Sequence, residues 1–196
     1  MLISWQTLIG QIYSCRNCDL CASIHNKVPG QGNQNAELMF IGEGPGKDED
    51  MQGKAFVGAA GQLLTKMINA MGYERENVYI CNIVKCRPPQ NRVPTPEEAQ
   101  ACLPFLRQQV MLVRPQIIVL LGSTAARAIL RPDFRITKEH GIWTEKKGIW
   151  YMPTYHPAAL LRDESKKKDT WHDLKMVVEK MNSLKLISGK DDSSGA

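Results

Sequence analysis

The sequence has no long apolar run and no recognisable targeting segment. Its strongest apolar stretch, Ile117 to Leu121, is far shorter than the roughly 20 residues that cross a bilayer. No Lys or Arg precedes Arg16, and the N-terminal region has no small-residue cleavage site, so we predict no secretory signal peptide. These absences lead us to expect a cytoplasmic protein that does not associate with membranes.

Internal repeats and low-complexity blocks are also missing, apart from the polar C-terminal end. The 196 residues are 43% hydrophobic and 23% charged, which excludes disordered and collagen-like classes. A chain of this length suits one domain. We predict a single domain over residues 1–184 and a flexible tail over residues 185–196.

Charge of either sign is not in large excess. The chain has 25 Lys and Arg against 20 Asp and Glu, a formal net charge of +5. Such a balance permits a polyanionic partner without requiring one.

Short β-rich runs alternate with stretches of helical spacing. The runs cover residues 37–42, 78–84, 116–122 and 149–154, and the helical stretches cover 61–71, 96–113, 123–130 and 170–184. Strands that are apolar throughout and alternate with helices indicate a mainly parallel sheet covered on both faces, an α/β fold. Ligands of such folds bind beyond the carboxyl ends of the strands, so the loops after the four strands are the candidate site.

The glycine-rich loop after the first strand lacks the required phosphate-binding spacings. Neither the pair Gly46-Lys47 nor the pair Gly53-Lys54 has a glycine five residues before its glycine, as a Walker loop requires. The G-x-G-x-x-G spacing fails at Lys47. A backbone that can approach a flat ligand remains, with the carboxylate of Glu43 beside it.

The six cysteines stand at positions 15, 18, 21, 81, 86 and 102. Cytosolic thiols stay reduced, so the C-x2-C-x2-C run indicates a metal site rather than disulfides. It lacks the fourth cysteine of a ferredoxin-type run. We therefore combine Cys15 and Cys18 with the distant Cys86 and Cys102, and interpret Cys81 as a core residue. This spacing does not separate zinc from an iron–sulfur cluster.

Three residues of the candidate loops point to recognition of a flat polar ligand. Asn82 interrupts a β-run, where Asn is disfavoured, and its carboxamide matches an edge with adjacent N–H and C=O groups. His156 follows the last strand, between Tyr155 and Pro157. Phe56 stands between small residues, and a core position is the alternative interpretation. The triplet Asp48-Glu49-Asp50 is interpreted as a solvated surface.

Four segments together resemble one known family. They are G-E-G-P-G at 42–46, G-K-A-F-V-G-x-A-G-Q-L-L at 53–64, V-Y-I-C-N-I-V-K-C-R-P-P-Q-N-R at 78–92 and H-P-A-x-L-L-R at 156–162. They are similar to family 4 uracil-DNA glycosylases, the iron–sulfur branch of that superfamily in bacteria and archaea. The resemblance implies a three-layer α/β/α sandwich with a central, mainly parallel four-stranded sheet. It also implies a 4Fe–4S cluster on Cys15, Cys18, Cys86 and Cys102.

The resemblance further implies a function and a set of roles. The enzyme would flip uracil out of single- or double-stranded DNA and hydrolyse its N-glycosidic bond, leaving an abasic site for base excision repair. We expect a monomer in a bacterial or archaeal cytoplasm. The roles implied for the pocket are a backbone wall at Gly42, Glu43 and Gly44, a stacking partner in Phe56, recognition of N3–H and O4 by Asn82, and a donor to O2 in His156.

The best-known branch of the superfamily has G-Q-D-P-Y in the first motif, where this chain has Gly44 and Gly46 at the Asp and Tyr positions. We therefore expect Glu43 to act on the water and Glu49 to exclude thymine.

For DNA contact we predict an apolar wedge in the segment Leu160-Leu161-Arg162 and phosphate contacts from Lys166, Lys167 and Lys168. Two rival hypotheses are a purely structural metalloprotein and a glycosylase of another base; the first explains neither Asn82 nor His156.

Overall fold

The fold is built on one six-stranded sheet with the spatial order β1-β3-β2-β4-β6-β5. A computed structural model describes the backbone of residues 3–191 and the side chains through Lys185. Strands β2, β3, β4 and β6 are mutually parallel, and the edge strands β1 and β5 pair antiparallel to them. The strands are β1 Gln31–Gly32, β2 Leu38–Gly42, β3 Tyr79–Asn82, β4 Ile117–Leu121, β5 Thr144–Lys146 and β6 Ile149–Thr154.

Alternate residues of the central strands face two separate apolar cores. Phe40 pairs with Ile80 and Val119 in register, and all three belong to one core. Their neighbours Ile41, Cys81 and Leu120 belong to the other. The period of two along a strand produces this division. Both faces of the sheet must therefore be covered by helices.

Eight α-helices lie within residues 3–191. Helices α3, α7 and α8 contribute to the first core, and α4 and α5 contribute to the second. The three-layer α/β/α prediction is confirmed. The helices are α1 Trp5–Ser14, α2 Lys47–Gln52, α3 Ala59–Ala70, α4 Pro96–Val113, α5 Gly122–Ile129, α6 Ile136–Glu139, α7 Pro157–Arg162 and α8 Lys166–Asp191.

Helix capping explains why the predicted start of α4 agrees with the structure. Helix α4 begins at Pro96 because the Thr95 hydroxyl accepts from the Glu98 N–H, at 3.2 Å, and the Glu98 carboxylate accepts from the Thr95 N–H, at 2.8 Å. The predicted bounds of α4 and β6 agree with the structure.

The prediction of a four-stranded sheet is corrected, because the sheet has six strands. The edge strands β1 and β5 were missed because 2 and 3 residues are too few for an alternating pattern.

The C-terminal region is more helical than the sequence indicates. The last helix was predicted to end at residue 184, and α8 continues to Asp191. The remainder of the predicted tail, residues 192–196, lies outside the described residues. Within residues 3–191, no helix is both long and apolar enough to cross a membrane.

Candidate active site and cysteine-lined cavity

A cleft opens at the carboxyl edge of the sheet, where β2, β3, β4 and β6 end. It has a volume of about 630 Å³, a size typical of sites for small ligands. Such sites occupy this edge in open α/β sheets. Five of the six predicted pocket residues line the cleft: Glu43, Gly44, Phe56, Asn82 and His156.

The sixth predicted residue, Gly42, forms the close-packed base of the site. A Cβ atom there would lie 2.5 Å from Phe56 Cζ and 2.6 Å from Asn82 Oδ1. Both distances are shorter than van der Waals contact, so any larger residue would displace the aromatic ring or the carboxamide. Glycine at the end of β2 therefore allows Phe56 and Asn82 to meet.

Phe56 is held in an unusual conformation by its neighbours. Its φ of 52° is rare for a bulky residue and needs stabilisation by surrounding contacts. The Arg75 guanidinium donates to the Phe56 carbonyl at 2.9 Å. On the following residues, the Glu49 carboxylate accepts from the N–H groups of Val57 and Gly58, at 2.8 and 2.9 Å. Phe56 packs in the first core and also borders the cleft.

Asn82 carries an unpaired polar atom. The residue is 1% exposed, and its Oδ1 has no hydrogen-bond partner among the described residues. A buried polar atom of this kind is uncommon and costs about 1–3 kcal/mol while it is unpaired. Because Asn82 borders the cleft, a ligand with an N–H group at this position would satisfy the oxygen.

His156 is a neutral hydrogen-bond donor facing the cleft. It precedes α7, and its Nδ1 accepts from the Ala158 N–H at 3.1 Å. The proton of the neutral ring is therefore on Nε2. Burial, with a smaller contribution from the Arg162 charge, lowers the pKa of His156 from 6.5 to about 4. The His156 ring lies 5.6 Å from the Phe56 ring between centroids.

Glu43 is oriented by a residue that sequence reasoning missed. The Thr124 hydroxyl, in the first turn of α5, donates to the Glu43 carboxylate. Glu43 and His156 both line the cleft, from β2 and β6 respectively. Thr124 gave no sequence signal, because its side chain reaches Glu43 only once β2 and β4 pair.

The acidic triplet is not the solvated surface that the sequence suggested. Asp48 is exposed, but Glu49 and Asp50 are 9% and 1% exposed. Glu49 accepts from the Gly46 N–H at 3.0 Å as well as from the Phe56 loop. Asp50 accepts from the His25 ring and backbone, both at 2.9 Å. Burial raises the pKa of Asp50, but these hydrogen bonds outweigh it and the net pKa is lowered. Through Glu49 the triplet is hydrogen-bonded to the cleft, and through Asp50 it is hydrogen-bonded to His25 in the N-terminal segment.

The predicted DNA-contact residues fall into different environments. Leu160 is 2% exposed and lies in the first core, so its prediction as a wedge is corrected; Leu161 is 51% exposed. Arg162 lines the cleft. The Lys166 and Lys167 ammonium groups pair with Asp163 and Glu164, at 2.5 and 2.6 Å. Lys168 is exposed, and no ion pair is found for it among the residues with described side chains.

A second, mainly apolar cavity lies between the N-terminal segment, the end of β3 and α4. Cys15, Cys18, Cys86 and Cys102 all line it, and Cys21 lines it as well. Cys81 is fully buried in the second core and does not line the cavity. The fold therefore brings together the four cysteines that the sequence singled out, from two regions distant along the chain.

The cysteine thiols around this cavity are the type of donor that an iron–sulfur cluster would need. Burial, with a smaller contribution from the neighbouring Cys102 and Cys18, raises the pKa of Cys86 to about 12. Thiolates here would require a strongly cationic binding partner such as iron. Among the described residues, no three His, Cys, Asp or Glu side chains are grouped to hold a metal ion. A cluster differs from a zinc site because each thiolate binds a different iron, so its ligands lie farther apart.

Comparisons with known proteins agree with this geometry. Residues 29–175 match a family described as the uracil DNA glycosylase superfamily. The chain is 43% identical over 184 residues to a type-4 uracil-DNA glycosylase of Archaeoglobus fulgidus, covering 90% of this chain and 92% of that protein. It is 45% identical to type-4 uracil-DNA glycosylases of Sulfurisphaera tokodaii, covering 86% and 81%, and of Thermotoga maritima, covering 79% and 82%.

Proposed function

Because the chain belongs to the type-4 branch of the uracil DNA glycosylase superfamily, we propose that it removes uracil from DNA by hydrolysing the N-glycosidic bond. The products are free uracil and an abasic site, the first intermediate of base excision repair. The unpaired Oδ1 of Asn82 carries this proposal, because it is a buried acceptor beside the cleft. Uracil N3–H is a donor of the kind that this oxygen lacks.

The pocket suits a flipped-out base. A base inside a duplex cannot be reached, so it must leave the stack and be recognised by its Watson–Crick edge. Phe56 supplies an aromatic surface for the base, and Gly42 keeps the backbone close to it. The Asn82 amide group can donate to uracil O4 while its Oδ1 accepts from N3–H. Cytosine has the opposite pattern at these two positions, and its binding would leave Asn82 unpaired.

The glycosidic bond breaks with negative charge developing on uracil O2. The His156 Nε2–H is a fixed neutral donor for that charge, since Nδ1 is occupied by the Ala158 N–H. The Glu43 carboxylate, oriented by Thr124, acts on the water that adds to the sugar carbon. The water oxygen bonds to that carbon as the bond to the uracil nitrogen breaks. One proton of the water stays on the new hydroxyl of the abasic sugar, and the other neutralises the departing uracil anion.

Thymine differs from uracil only by a methyl group at C5, so its exclusion is steric. Glu49 lines the cleft, and three backbone N–H groups fix its carboxylate. A side chain fixed in this way cannot move aside for a methyl group. We assign thymine exclusion to Glu49 on this ground.

A 4Fe–4S cluster would be held by Cys15, Cys18, Cys86 and Cys102. When bound, it supplies a cross-link between the N-terminal segment and α4 rather than electrons, because hydrolysis transfers none.

In the complex with DNA, the exposed side chain of Leu161 enters the base stack that the flipped-out uracil has left, as apolar wedges do in other DNA-binding proteins. Arg162 and Lys168 contact phosphates, with a weaker contribution from Lys166 and Lys167 because each is paired with a carboxylate.

The test is incubation with an oligonucleotide containing one uracil, followed by alkali cleavage of any abasic site. Parallel oligonucleotides contain cytosine, thymine or hypoxanthine at the same position, in single- and double-stranded form. We expect cleavage at uracil alone. Cleavage at none of them by folded protein would refute the proposal, and preference for hypoxanthine would establish the altered-base hypothesis.

A further inference from the structure

Lys85 is a buried cation without a buried counter-charge. It is 2% exposed, although lysine is rarely buried unless it is paired. Its Nζ donates to the Asn82 carbonyl at 2.7 Å and to Gln109 Oε1 at 2.6 Å, and both acceptors are neutral. No carboxylate among the residues with described side chains lies within ion-pair distance of it.

An ammonium group in this position is strongly unfavourable on its own. Two neutral hydrogen bonds replace only part of the hydration that the ammonium loses, and an uncompensated buried charge destabilises a fold strongly. A negatively charged group close to Lys85 would remove this difficulty. No side chain among the described residues supplies one, so a group bound beside Lys85 is the candidate.

The surroundings of Lys85 indicate which group that is. Lys85 lies beside the ligand residue Cys86 and lines the cysteine cavity. Its backbone N–H is hydrogen-bonded to Cys102, and its charge acts on the thiols of Cys102 and Cys81. A 4Fe–4S core held by four thiolates carries a net negative charge. We propose that Lys85 is the buried counter-cation of this cluster, an inference that rests on the cluster of the proposed function.

The same ammonium connects the two sites of the molecule. Its bond to the Asn82 carbonyl fixes the end of β3, from which the Asn82 side chain reaches the cleft. Gln109 holds the ammonium from α4, and its own Nε2 donates to the Pro29 carbonyl at 2.8 Å and to Tyr79 Oη at 3.0 Å. Lys85 is therefore a positioning residue for Asn82 as well as a charge beside the cluster.

The charge can be tested through the reduction potential of the cluster, which is measured by voltammetry on the intact protein. A nearby cation favours the reduced cluster, because reduction adds negative charge. We expect Lys85→Met, which keeps the aliphatic chain, to shift the oxidised–reduced equilibrium at least tenfold toward the oxidised form. For one electron this is a potential more negative by about 59 mV. Gln109→Leu is the matched control: it removes a hydrogen bond from Lys85 and keeps the charge, and we expect a much smaller shift.

Each outcome decides between the charge and the hydrogen bonds. Loss of iron from Lys85→Met but not from Gln109→Leu supports the counter-cation. Equal iron loss from both variants, or an unchanged potential in Lys85→Met, overturns it. If Lys85→Met does not fold, Gln109→Glu places a carboxylate against the ammonium, and the potential should again become more negative. An unchanged potential in that variant refutes the inference.

The cluster and the glycosylase activity are checked separately. Iron content of the wild-type protein tests the cluster, and the uracil oligonucleotide tests the enzyme. Wild-type protein with excision activity but without iron would overturn the cluster and this inference with it, and leave uracil excision standing. Wild-type protein with iron, and Lys85→Met with an unchanged potential, would overturn this inference alone.

Discussion

The cleft and the cysteine cavity lie on either side of one short segment, residues 82–86, and differ in what completes them. In the cleft, the groups assigned to catalysis are already oriented by the protein: the Thr124 hydroxyl donates to Glu43, and the Ala158 N–H donates to the His156 ring. The buried Oδ1 of Asn82 has no hydrogen-bond partner among the described residues. In the cysteine cavity, buried thiols with raised pKa values lie beside the Lys85 ammonium, which has hydrogen bonds but no carboxylate partner among the residues with described side chains.

This difference separates a site built to bind transiently from one built around a permanent group. A cleft with one unpaired acceptor leaves a small penalty that the correct base removes, so binding becomes selective while the empty site stays stable. A cavity with several uncompensated groups is stable only when it is filled. Replacements in the cavity should therefore affect folding, and replacements in the cleft should affect catalysis.

The largest effect is expected from the cysteine ligands. Cys86→Ala or Cys102→Ala should abolish bound iron, remove the absorption band near ~400 nm and lower the free energy of unfolding by at least ~5 kcal/mol, because the cross-link is lost. Iron analysis and denaturant unfolding measure both. Cys81→Ser is the control: it should keep the iron and cost only about 1–3 kcal/mol, the penalty for a buried hydroxyl. Iron loss in the control would instead make Cys81 a ligand.

Asn82→Asp should separate catalysis from folding. The variant lacks the amide N–H donor and places a carboxylate against uracil O4, which is itself an acceptor. Uracil excision should therefore fall at least ~100-fold, as when one preorganised donor is removed. The fold and the iron content should be retained because the replacement is nearly isosteric, although the buried carboxylate should lower the free energy of unfolding. Slow cytosine excision is expected as well, since a carboxylate can accept from the cytosine amino group. Normal uracil excision by this variant would place the pocket elsewhere.

Acid should weaken the fold through His156. Its pKa is about 4 in the folded protein against 6.5 ordinarily, so the unfolded chain binds the extra proton between these values. The free energy of unfolding should therefore decrease as pH falls from 6.5 to about 4, by about 2 kcal/mol for this half-buried ring. Denaturant unfolding across this range measures it. His156→Gln should lack this part of the pH dependence.

Thr124→Val should weaken the orientation of Glu43 without disturbing the core. A hydrogen bond to a charged group contributes about 1.5–3 kcal/mol, so the excision rate should fall roughly tenfold or more. Single-turnover kinetics with the uracil oligonucleotide measure the rate. Thr124→Ser, which keeps the hydroxyl, should recover most of it. If Thr124→Val is fully active, Glu43 does not depend on this bond.

The smallest catalytic effect is expected at the exposed wedge. Leu161→Ala should reduce excision severalfold from duplex DNA and less from single strands, where no stack needs to be opened. Its stability should hardly change. The neighbouring Leu160→Ala provides the contrast: loss of a buried leucine should lower the free energy of unfolding by roughly 2–5 kcal/mol. Equal reductions in the excision rate on duplex and single-stranded DNA would contradict the wedge hypothesis.

Much of this architecture is visible in the sequence because it depends on local patterns. Short runs that are apolar throughout predict the central strands, and the Thr95 capping signal predicts α4. The C-x2-C spacing predicts that distant cysteines complete a site. Asn82 stands out because it breaks a local preference within a strand, and His156 because it follows a strand end between Tyr155 and Pro157. The edge strands β1 and β5 are too short to carry a pattern of their own.

The sequence by itself determined the four parallel strands, the carboxyl-edge loops and the residue types of both sites, since propensity and periodicity act over a few neighbouring residues. Only the tertiary structure decided which polar groups meet. Glu49 and Asp50 read as solvated acids, yet backbone donors from other segments bury them; Leu160 and Leu161 are identical in sequence terms, yet one is 2% and the other 51% exposed. Lys85 becomes an uncompensated charge only when α4 brings Gln109 and Cys102 beside it. Burial and pairing depend on contacts between segments far apart in the chain, which no local pattern contains.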